Sequence, residues 1–330
     1  MRRTLTVMGE TFPLATPFRI SRGVKTAAEV VTVTLAQGDV VGRGECVPYP
    51  RYGESVAASI AEIEAVRMAI ETGVSRRGLL EILPAGAARN AVDCALWDLE
   101  LGLAGSSLAE ATGIETPLRP IATAMTVGLD TPERMGLAAA ALANAPLVKV
   151  KVDANDPVAQ LRAVRAAAPA PRMIVDPNES WTIAQVDAMQ ALAEALRIDL
   201  LEQPLPAQED AALRGYRSVI PIAADESVHV AADLDTLPDG YGVVNIKLDK
   251  AGGLTAALAL AEAARARGLG VMTGCMICSS LSIAPAWAIA ARSDFVDLDG
   301  PLWLSADRAG GVTGAAGYLQ PAQAGFWGGL

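Results

Sequence analysis

Histidine is almost missing from this chain: there is one, His229, in 330 residues. A Ser-His-Asp triad or a multi-histidine metal site would rest wholly on it, so a general base is expected from Lys, Asp or Glu. His229 itself is read as a structural or surface residue. Cysteine is sparse, with only Cys46, Cys94, Cys275 and Cys278. Four thiols in a chain of this size fit a reducing, cytoplasmic setting. Cys275 and Cys278 form a lone C-x-x-C with no second pair or histidines nearby in sequence. Small residues packed near a strand end are therefore favoured over a zinc site, with a redox role the weaker alternative. No apolar run reaches the roughly 20 residues of a membrane helix. The start, MRRTLTVMGETF, has two arginines but no apolar stretch of signal-peptide length. Basic charge is the minority, 27 Lys and Arg against 37 Asp and Glu, for a net charge of −10. That balance argues against nucleic acid as the main partner.

What is abundant is apolar surface. Hydrophobic residues make up 52% and charged ones 19%, enough for one large domain and a smaller partner. Thr4 to Met8, Val30 to Leu35 and Val40 to Glu45 are β-branched or alternating, and Gln37-Gly38-Asp39 signals a turn. Helical stretches follow over Ser55 to Glu71 and Ala87 to Leu103. Residues 1–118 are therefore expected to form a small α+β unit. From Pro120 onward strands and Ala-rich helices alternate. The expected strands are Ile121 to Thr126, Leu147 to Val152, Met173 to Pro177, Leu200 to Gln203, Ile222 to Glu226, Val243 to Leu248, Gly270 to Gly274 and Phe295 to Asp299. The strand-end residues Thr126, Lys151, Asp176, Glu202, Asp225, Lys247, Cys275 and Asp297 recur every 22 to 28 positions. Eight such units predict a (β/α)₈ barrel over 119–312, capped by the first unit. No G-x-G-x-x-G opens a helix after a strand, which weakens a dinucleotide-binding alternative.

The chemistry lies on the inward faces. In Leu147-Val148-Lys149-Val150-Lys151-Val152 the valines share one face and the lysines the other. A buried lysine needs a partner, and the next strands supply acids. Asp176 and Asn178 share a face, Glu202 ends the following strand, and Asp225 the one after. Glu226 alternates away from Asp225 and is not expected to ligate. One carboxylate from each of three consecutive strands converges at the mouth, and like charges there raise one another's pKa. A hard divalent cation relieves the repulsion, and oxygen-only ligands favour Mg²⁺, one per subunit.

Asn245 and Lys247 turn inward from the sixth strand. Lys151, on the second, is then diametrically opposite Lys247, with the acids between. A substrate carboxylate held by the metal would have an ammonium group on each side of its α-carbon, the arrangement for a 1,1-proton transfer. The metal's task is the charge of the developing enediolate. Lys149 beside Lys151, with the cation close by, is expected to lower the lysine pKa so that a neutral base exists.

These residues resemble a known family. Lys149-Val150-Lys151, Asp176-x-Asn178, Glu202-Gln203-Pro204, Asp225-Glu226-Ser227 and Asn245-Ile246-Lys247 are similar to the signature of the enolase superfamily, muconate-lactonizing-enzyme subgroup. Gly42-Arg43-Gly44-Glu45-Cys46-Val47-Pro48 and the stretch Ala88 to Asp98 extend the match over nearly the whole chain. Lysine bases with magnesium are a pattern already described for enolase-type sites. Within the superfamily the chain looks most similar to dipeptide epimerases. The resemblance implies inversion of the α-carbon of a dipeptide's C-terminal residue, with L-Ala-Glu the expected substrate and cell-wall peptide turnover the context. Lys151 and Lys247 would be the acid/base pair, Lys149 an electrostatic helper beside the substrate, and Asp176, Glu202 and Asp225 the metal ligands. Asp297 and Asp299 would hold the α-ammonium. Phe18 to Gly23 resembles a capping loop in which Arg22 meets the side-chain carboxylate, and Tyr49 to Glu54 a second such loop that closes the site. Thr126 could touch substrate. Residues 313–330 are expected to return to the capping unit.

One departure stands out: many relatives carry glutamate where this chain has Cys278. Rival reactions with the same lysines and metal are muconate-type cycloisomerisation, o-succinylbenzoate synthesis and N-succinylamino acid racemisation. A non-catalytic binding barrel is the rival from another class. The oligomeric state stays open, a homo-oligomer included.

Overall fold

A computed structural model describes residues 2–20 and 23–329. The chain begins with an antiparallel meander, β1 (Thr4–Ile20), β2 (Gly23–Gln37) and β3 (Val40–Cys46). Its first hairpin is far longer than the sequence pattern indicates, pairing from Thr4 with Ala36 out to Ile20 with Gly23. Pro13 and Pro17 obscure this length, because proline cannot donate to a ladder. The sheet absorbs them by a register shift between Pro13 and Phe18. The outer hairpin leans on the barrel instead: the Ser305 N–H donates to the Pro13 carbonyl at 2.8 Å.

Helices Val56–Ala65 and Arg67–Glu71 follow, where one continuous helix was expected; Val66 interrupts them. The first starts at Ser55, whose hydroxyl accepts the Ala58 N–H. Helix Ala87–Ala104 is buried along most of its length and ends at Gly105 in the left-handed region (φ 60°). It lies directly on β3. A Cβ on Gly42 or Gly44 would overlap the Ala95 or Ala91 carbonyl of that helix, so only glycine permits the approach.

The predicted barrel forms. The expected first strand splits into β4 (Ile121–Ala122) and β5 (Met125–Val127). The rest are β6 (Leu147–Lys151), β7 (Arg172–Asp176), β8 (Leu200–Glu202), β9 (Ile222–Ala224), β10 (Val243–Ile246), β11 (Gly270–Gly274) and β12 (Phe295–Asp297). Strands β5 to β12 make one parallel sheet in sequence order. Its ends meet where the Ala124 N–H donates to the Val296 carbonyl (2.7 Å) and the Leu298 N–H to Thr123 Oγ1 (2.8 Å). Strand β4 instead pairs with β14 (Tyr318–Gln320), itself paired with β13 (Thr313–Ala315). The last residues bond to the capping unit: Trp327 Nε1 donates to the Arg43 carbonyl and the Gly328 N–H to Asp98.

Two-residue periodicity sorts the strands into layers. Val148, Val150, Val175, Leu201, Ile222, Ala224, Val244, Ile246, Val271 and Val296 join the large core under the helices. Inside, Ala124, Leu147, Ile174, Leu200, Ala223, Val243, Met272 and Phe295 form a separate apolar cluster, one residue from each strand or its lead-in. Two positions further along each strand, the inward residue is polar or glycine.

Buried polar contacts join cap to barrel. Glu45 accepts the Ser279 N–H (2.9 Å) and an Arg308 N–H (2.8 Å). Asp249 Oδ1 accepts from the Val47 N–H (3.0 Å) and Asn90 Nδ2 (2.8 Å).

Candidate active site

Above the apolar floor lie Lys149, Asp176, Glu202, Asp225, Asn245 and Asp297, all buried. Lys149 Nζ is central, 3.0 Å from Asp176 Oδ2, 2.7 Å from Glu202 Oε2 and 2.8 Å from Asp297 Oδ2. Lys151 Nζ donates to Asp176 Oδ2 at 2.6 Å, and Lys247 Nζ to Asp225 Oδ2 at 2.7 Å. Lys151 ends β6 and Lys247 follows β10, four strands away in an eight-strand sheet, and both line one cavity.

Burial acts against every charge here, and the partners decide the outcome. Asp176 is held well below the usual carboxylate range by Lys151 and Lys149, which outweigh its burial. Asp225 is held low in the same way by Lys247 and Lys250. Glu202 goes the other way: burial, then the Asp176 charge, pushes its carboxyl up to about 8. Burial likewise works against the Lys149 ammonium, but Asp297, Glu202 and Asp176 outweigh it and hold its pKa above the ordinary value. Lys247 is held up too, chiefly by Asp225 against its burial. For Lys149 and Lys247 these contacts act upward, opposite in direction to the lowering expected beside a cation. The groups they touch are acids, and acids favour the ammonium form.

Among the described residues no three Asp, Glu, His or Cys side chains already stand as a closed cation cage; each acid grips a lysine. The donor set nevertheless fits a hard cation. Glu202 Oε2 and Asp225 Oδ1 are buried without a well-directed hydrogen bond, and the ammonium groups of Lys149 and Lys250 lie 2.7 Å from them. Three carboxylates from adjacent strands, one resisting ionisation, are what a divalent ion would neutralise. The expected flanking amides are in place. Asn178 Nδ2 donates to Asp176 Oδ2 (3.2 Å), and Asn245 Nδ2 to Glu202 Oε1 (2.9 Å).

The remaining expected residues divide. Thr126, Asp297 and Asp299 line the same cavity. Asp299 Oδ2 accepts the Thr126 N–H (2.9 Å) and Trp303 Nε1 (3.2 Å), and burial, then Asp297, pushes its carboxyl up to about 6. Arg22 lies outside the described residues. Of the described hairpin residues, Phe18, Ile20 and Lys25 line the cavity, as do Tyr49 and Tyr52. His229 packs edge-on against Tyr52 at 4.6 Å, and burial, then Lys250, pushes its pKa down to about 4. Glu226 also lines the cavity, contrary to the expected alternation, because β9 ends at Ala224 and the period-2 rule ends with it. Cys275 borders the cavity and Cys278 is buried, both as free thiols.

Sequence reading passed over several residues. Gly274, not Cys275, is the inward residue of β11: a Cβ on it would lie 2.6 Å from Asn245 Oδ1 and 3.1 Å from Lys247 Cε. Counting by twos from Met272 would have found it. Gln203 is a buried bracket, accepting the Asp225 and Ser227 N–H groups and donating to the Tyr241 hydroxyl (2.9 Å). Lys250, one helical turn from Lys247, donates to the Val228 and Asn245 carbonyls at 3.0 Å. Nothing local in the sequence marks these long-range partners.

Known proteins are similar to this chain in sequence and fold over nearly its whole length. Residues 2–113 match the "Mandelate racemase / muconate lactonizing enzyme, N-terminal domain" and residues 134–323 "Enolase C-terminal domain-like". The chain is 48% identical to the L-Ala-D/L-Glu epimerase of Escherichia coli K12 over 92% of its own length and 95% of that protein's. It is 43% identical to an N-acetyl-D-glutamate racemase of Pseudoalteromonas, over 91% and 95%. An Agrobacterium tumefaciens enolase family member with homology to dipeptide epimerases, solved with sodium and L-Ala-L-Glu, superposes with TM-score 0.95 at 46% identity, covering 99% of this chain and 100% of that one. A Methylococcus capsulatus dipeptide epimerase, solved with Mg and L-Arg-D-Lys, gives 0.89 at 32%, covering 98% of each. The chain belongs to the mandelate racemase/muconate lactonizing enzyme family of the enolase superfamily.

Proposed function

We propose that this protein is a magnesium-dependent dipeptide epimerase that inverts the α-carbon of the C-terminal residue, with L-Ala-D/L-Glu its substrate. The observation that carries the reading is the pair Lys151 and Lys247, facing one cavity from opposite strands with acids between them. Lys151 and Lys247 remove and return the α-proton on opposite faces. Asp176, Glu202 and Asp225 hold the ion. A bound Mg²⁺ would supply positive charge for the substrate carboxylate as its α-proton leaves, and would take up carboxylate charge that otherwise favours the ammonium forms of Lys149 and Lys247. Lys149 adds a fixed ammonium beside them. Asp297 and Asp299 receive the dipeptide's α-ammonium, a charge that needs paired acids in a buried pocket. Lys25, lining the cavity, favours an acidic side chain on the inverted residue, and the resemblance gives Arg22 the same task.

A second reading is racemisation of an N-acylated acidic amino acid, favoured by the 43% identical N-acetyl-D-glutamate racemase. Such a substrate has no ammonium for Asp297 and Asp299, which is why the dipeptide is preferred. The setting proposed is turnover of cell-wall peptide fragments in the cytoplasm, supported by the sparse, free cysteines. No described helix is long and apolar enough to cross a membrane.

The test is proton NMR in D₂O with Mg²⁺. L-Ala-L-Glu should exchange its glutamyl α-proton and yield L-Ala-D-Glu, and chelation should stop both. Exchange of N-acetylglutamate without exchange of the dipeptide would select the second reading.

A further inference from the structure

The acid end of β7 is followed by strained backbone. Asn178 and Glu179 are successive non-glycine residues in the left-handed region, at φ 48° and 65°. Such a conformation is unfavourable for a residue with a Cβ and persists only where surrounding contacts impose it. Two residues before them is Asp176, tied to this turn by the Asn178 N–H (2.9 Å) and Nδ2 (3.2 Å).

What imposes the turn comes partly from the capping unit. The short 3₁₀ segment Pro50–Tyr52 presents Arg51. Its Nε and one terminal nitrogen donate to the two Glu179 carboxylate oxygens, both at 2.9 Å. This is the parallel two-bond geometry in which Arg is most directional. Glu179 Oε1 also accepts the Ala207 N–H at 2.9 Å, and the Glu179 N–H donates to the Gln203 carbonyl at 2.9 Å. Of these three partners of Glu179, Arg51 belongs to the other unit. The Arg51 segment is anchored in turn. Glu54 accepts the Tyr49 N–H and the Ala87 N–H, both at 2.8 Å, and Tyr52 packs on His229. The expected second capping loop, Tyr49 to Glu54, is thus braced at both its start and its end.

We propose that Arg51 is a positioning residue for the ion-binding end of β7. By gripping Glu179 it holds the left-handed turn at 178–179, and so sets Asp176 where a cation can use it. The inference rests on the reading of Asp176 as a metal ligand. Residues behind a metal ligand typically contribute ten- to a hundredfold in affinity or activity.

Four single variants, one double variant and three readouts test it. Arg51→Met should weaken Mg²⁺ binding, measured calorimetrically without substrate, by about tenfold. It should lower kcat to a similar extent while KM for the dipeptide changes little. Arg51→Lys, which keeps the charge and loses the fork, should fall between. Glu179→Ala, which also loses the Ala207 bond, should lose at least as much as Arg51→Met, and adding Arg51→Met to it should cost nothing further. Glu179→Gly removes the same ion pair but also the steric penalty of the left-handed turn, so it should recover part of the Mg²⁺ affinity lost in Glu179→Ala. Amide exchange of Glu179 and Trp181, followed without metal, should accelerate in Arg51→Met. Unchanged Mg²⁺ affinity with a raised KM would make Arg51 a substrate contact and overturn the proposal, as would additive losses in the double variant. If the unaltered protein bound no Mg²⁺, the functional reading would fall. Amide exchange would then still decide whether Arg51 holds the turn.

Discussion

Gly274 is the space that Lys247 occupies. A methyl group at Gly274 would press on the Lys247 stem 3.1 Å away and on the Asn245 amide at 2.6 Å. Those neighbours are buried and bonded, Asn245 to Glu202 and Lys247 to Asp225, so neither has room to give. Gly274→Ala is expected to fold, with a thermal midpoint within a few degrees of the parent, and to lose about 100-fold in kcat. A displacement near 1 Å at a reacting group has that consequence. Parental kcat in this variant would show that the contact is slack.

Lys151→Ala and Lys247→Ala should each abolish net epimerisation. Each should leave exchange of the α-proton of one substrate enantiomer with solvent deuterium, the opposite enantiomer in the two cases. The measurement is deuterium incorporation into L-Ala-L-Glu and L-Ala-D-Glu, followed separately. Full epimerisation by either variant would contradict the two-base scheme.

Asp297→Asn should separate substrates. For L-Ala-Glu the loss of kcat/KM is expected to exceed 100-fold, as a buried ammonium loses a charged partner. For N-acetylglutamate any residual activity should change far less. Equal losses for both would remove Asp297 from ammonium binding and make its bond to Lys149 (2.8 Å) its main task.

Asp249 is fully buried where the cap meets the barrel, and burial pushes its carboxyl from 3.8 up to about 7, despite the Val47 and Asn90 donors. A carboxyl raised by folding stabilises the fold below its unfolded pKa, and that contribution is lost as pH rises through the folded value. The loss runs from about pH 4 to pH 7 and amounts to on the order of 4 kcal/mol at most. Asp249→Asn keeps the accepting Oδ1, so it should flatten this dependence and raise the thermal midpoint at pH 8 relative to the parent. A lower midpoint at pH 8 would mean the ionised carboxylate is the better partner.

Gly44→Ala tests the cap itself. Its Cβ would overlap the Ala91 carbonyl, a backbone atom that cannot rotate away. Destabilisation of about 3 kcal/mol or more is expected, read as a lowered urea midpoint.

The inward chemistry was legible because strands obey a period of two. Lys149 with Lys151, Asp176 with Asn178, and Asn245 with Lys247 each announce their face from the sequence alone. The rule fails where a strand stops, which is why Glu226 was turned the wrong way. It also fails where proline disguises pairing, as over Pro13 to Phe18, and where a residue acts through partners far along the chain. Arg51 and Glu179 are 128 positions apart, and Glu45 and Ser279 are 234 apart. Their meeting depends on how the cap docks, which no local pattern encodes.

The ring formed by Ala124, Leu147, Ile174, Leu200, Ala223, Val243, Met272 and Phe295 has a bearing on isotope bookkeeping. It offers no oxygen or nitrogen side-chain atom along which a hydron could hop toward the barrel's base. In the proposed reaction, a hydron collected by Lys151 or Lys247 has that apolar floor beneath it and the aromatic rim of Tyr49 and Tyr52 above. Label lost to the medium should therefore track how often the mouth opens, and a substrate that lingers should return a larger share of its own hydrogen.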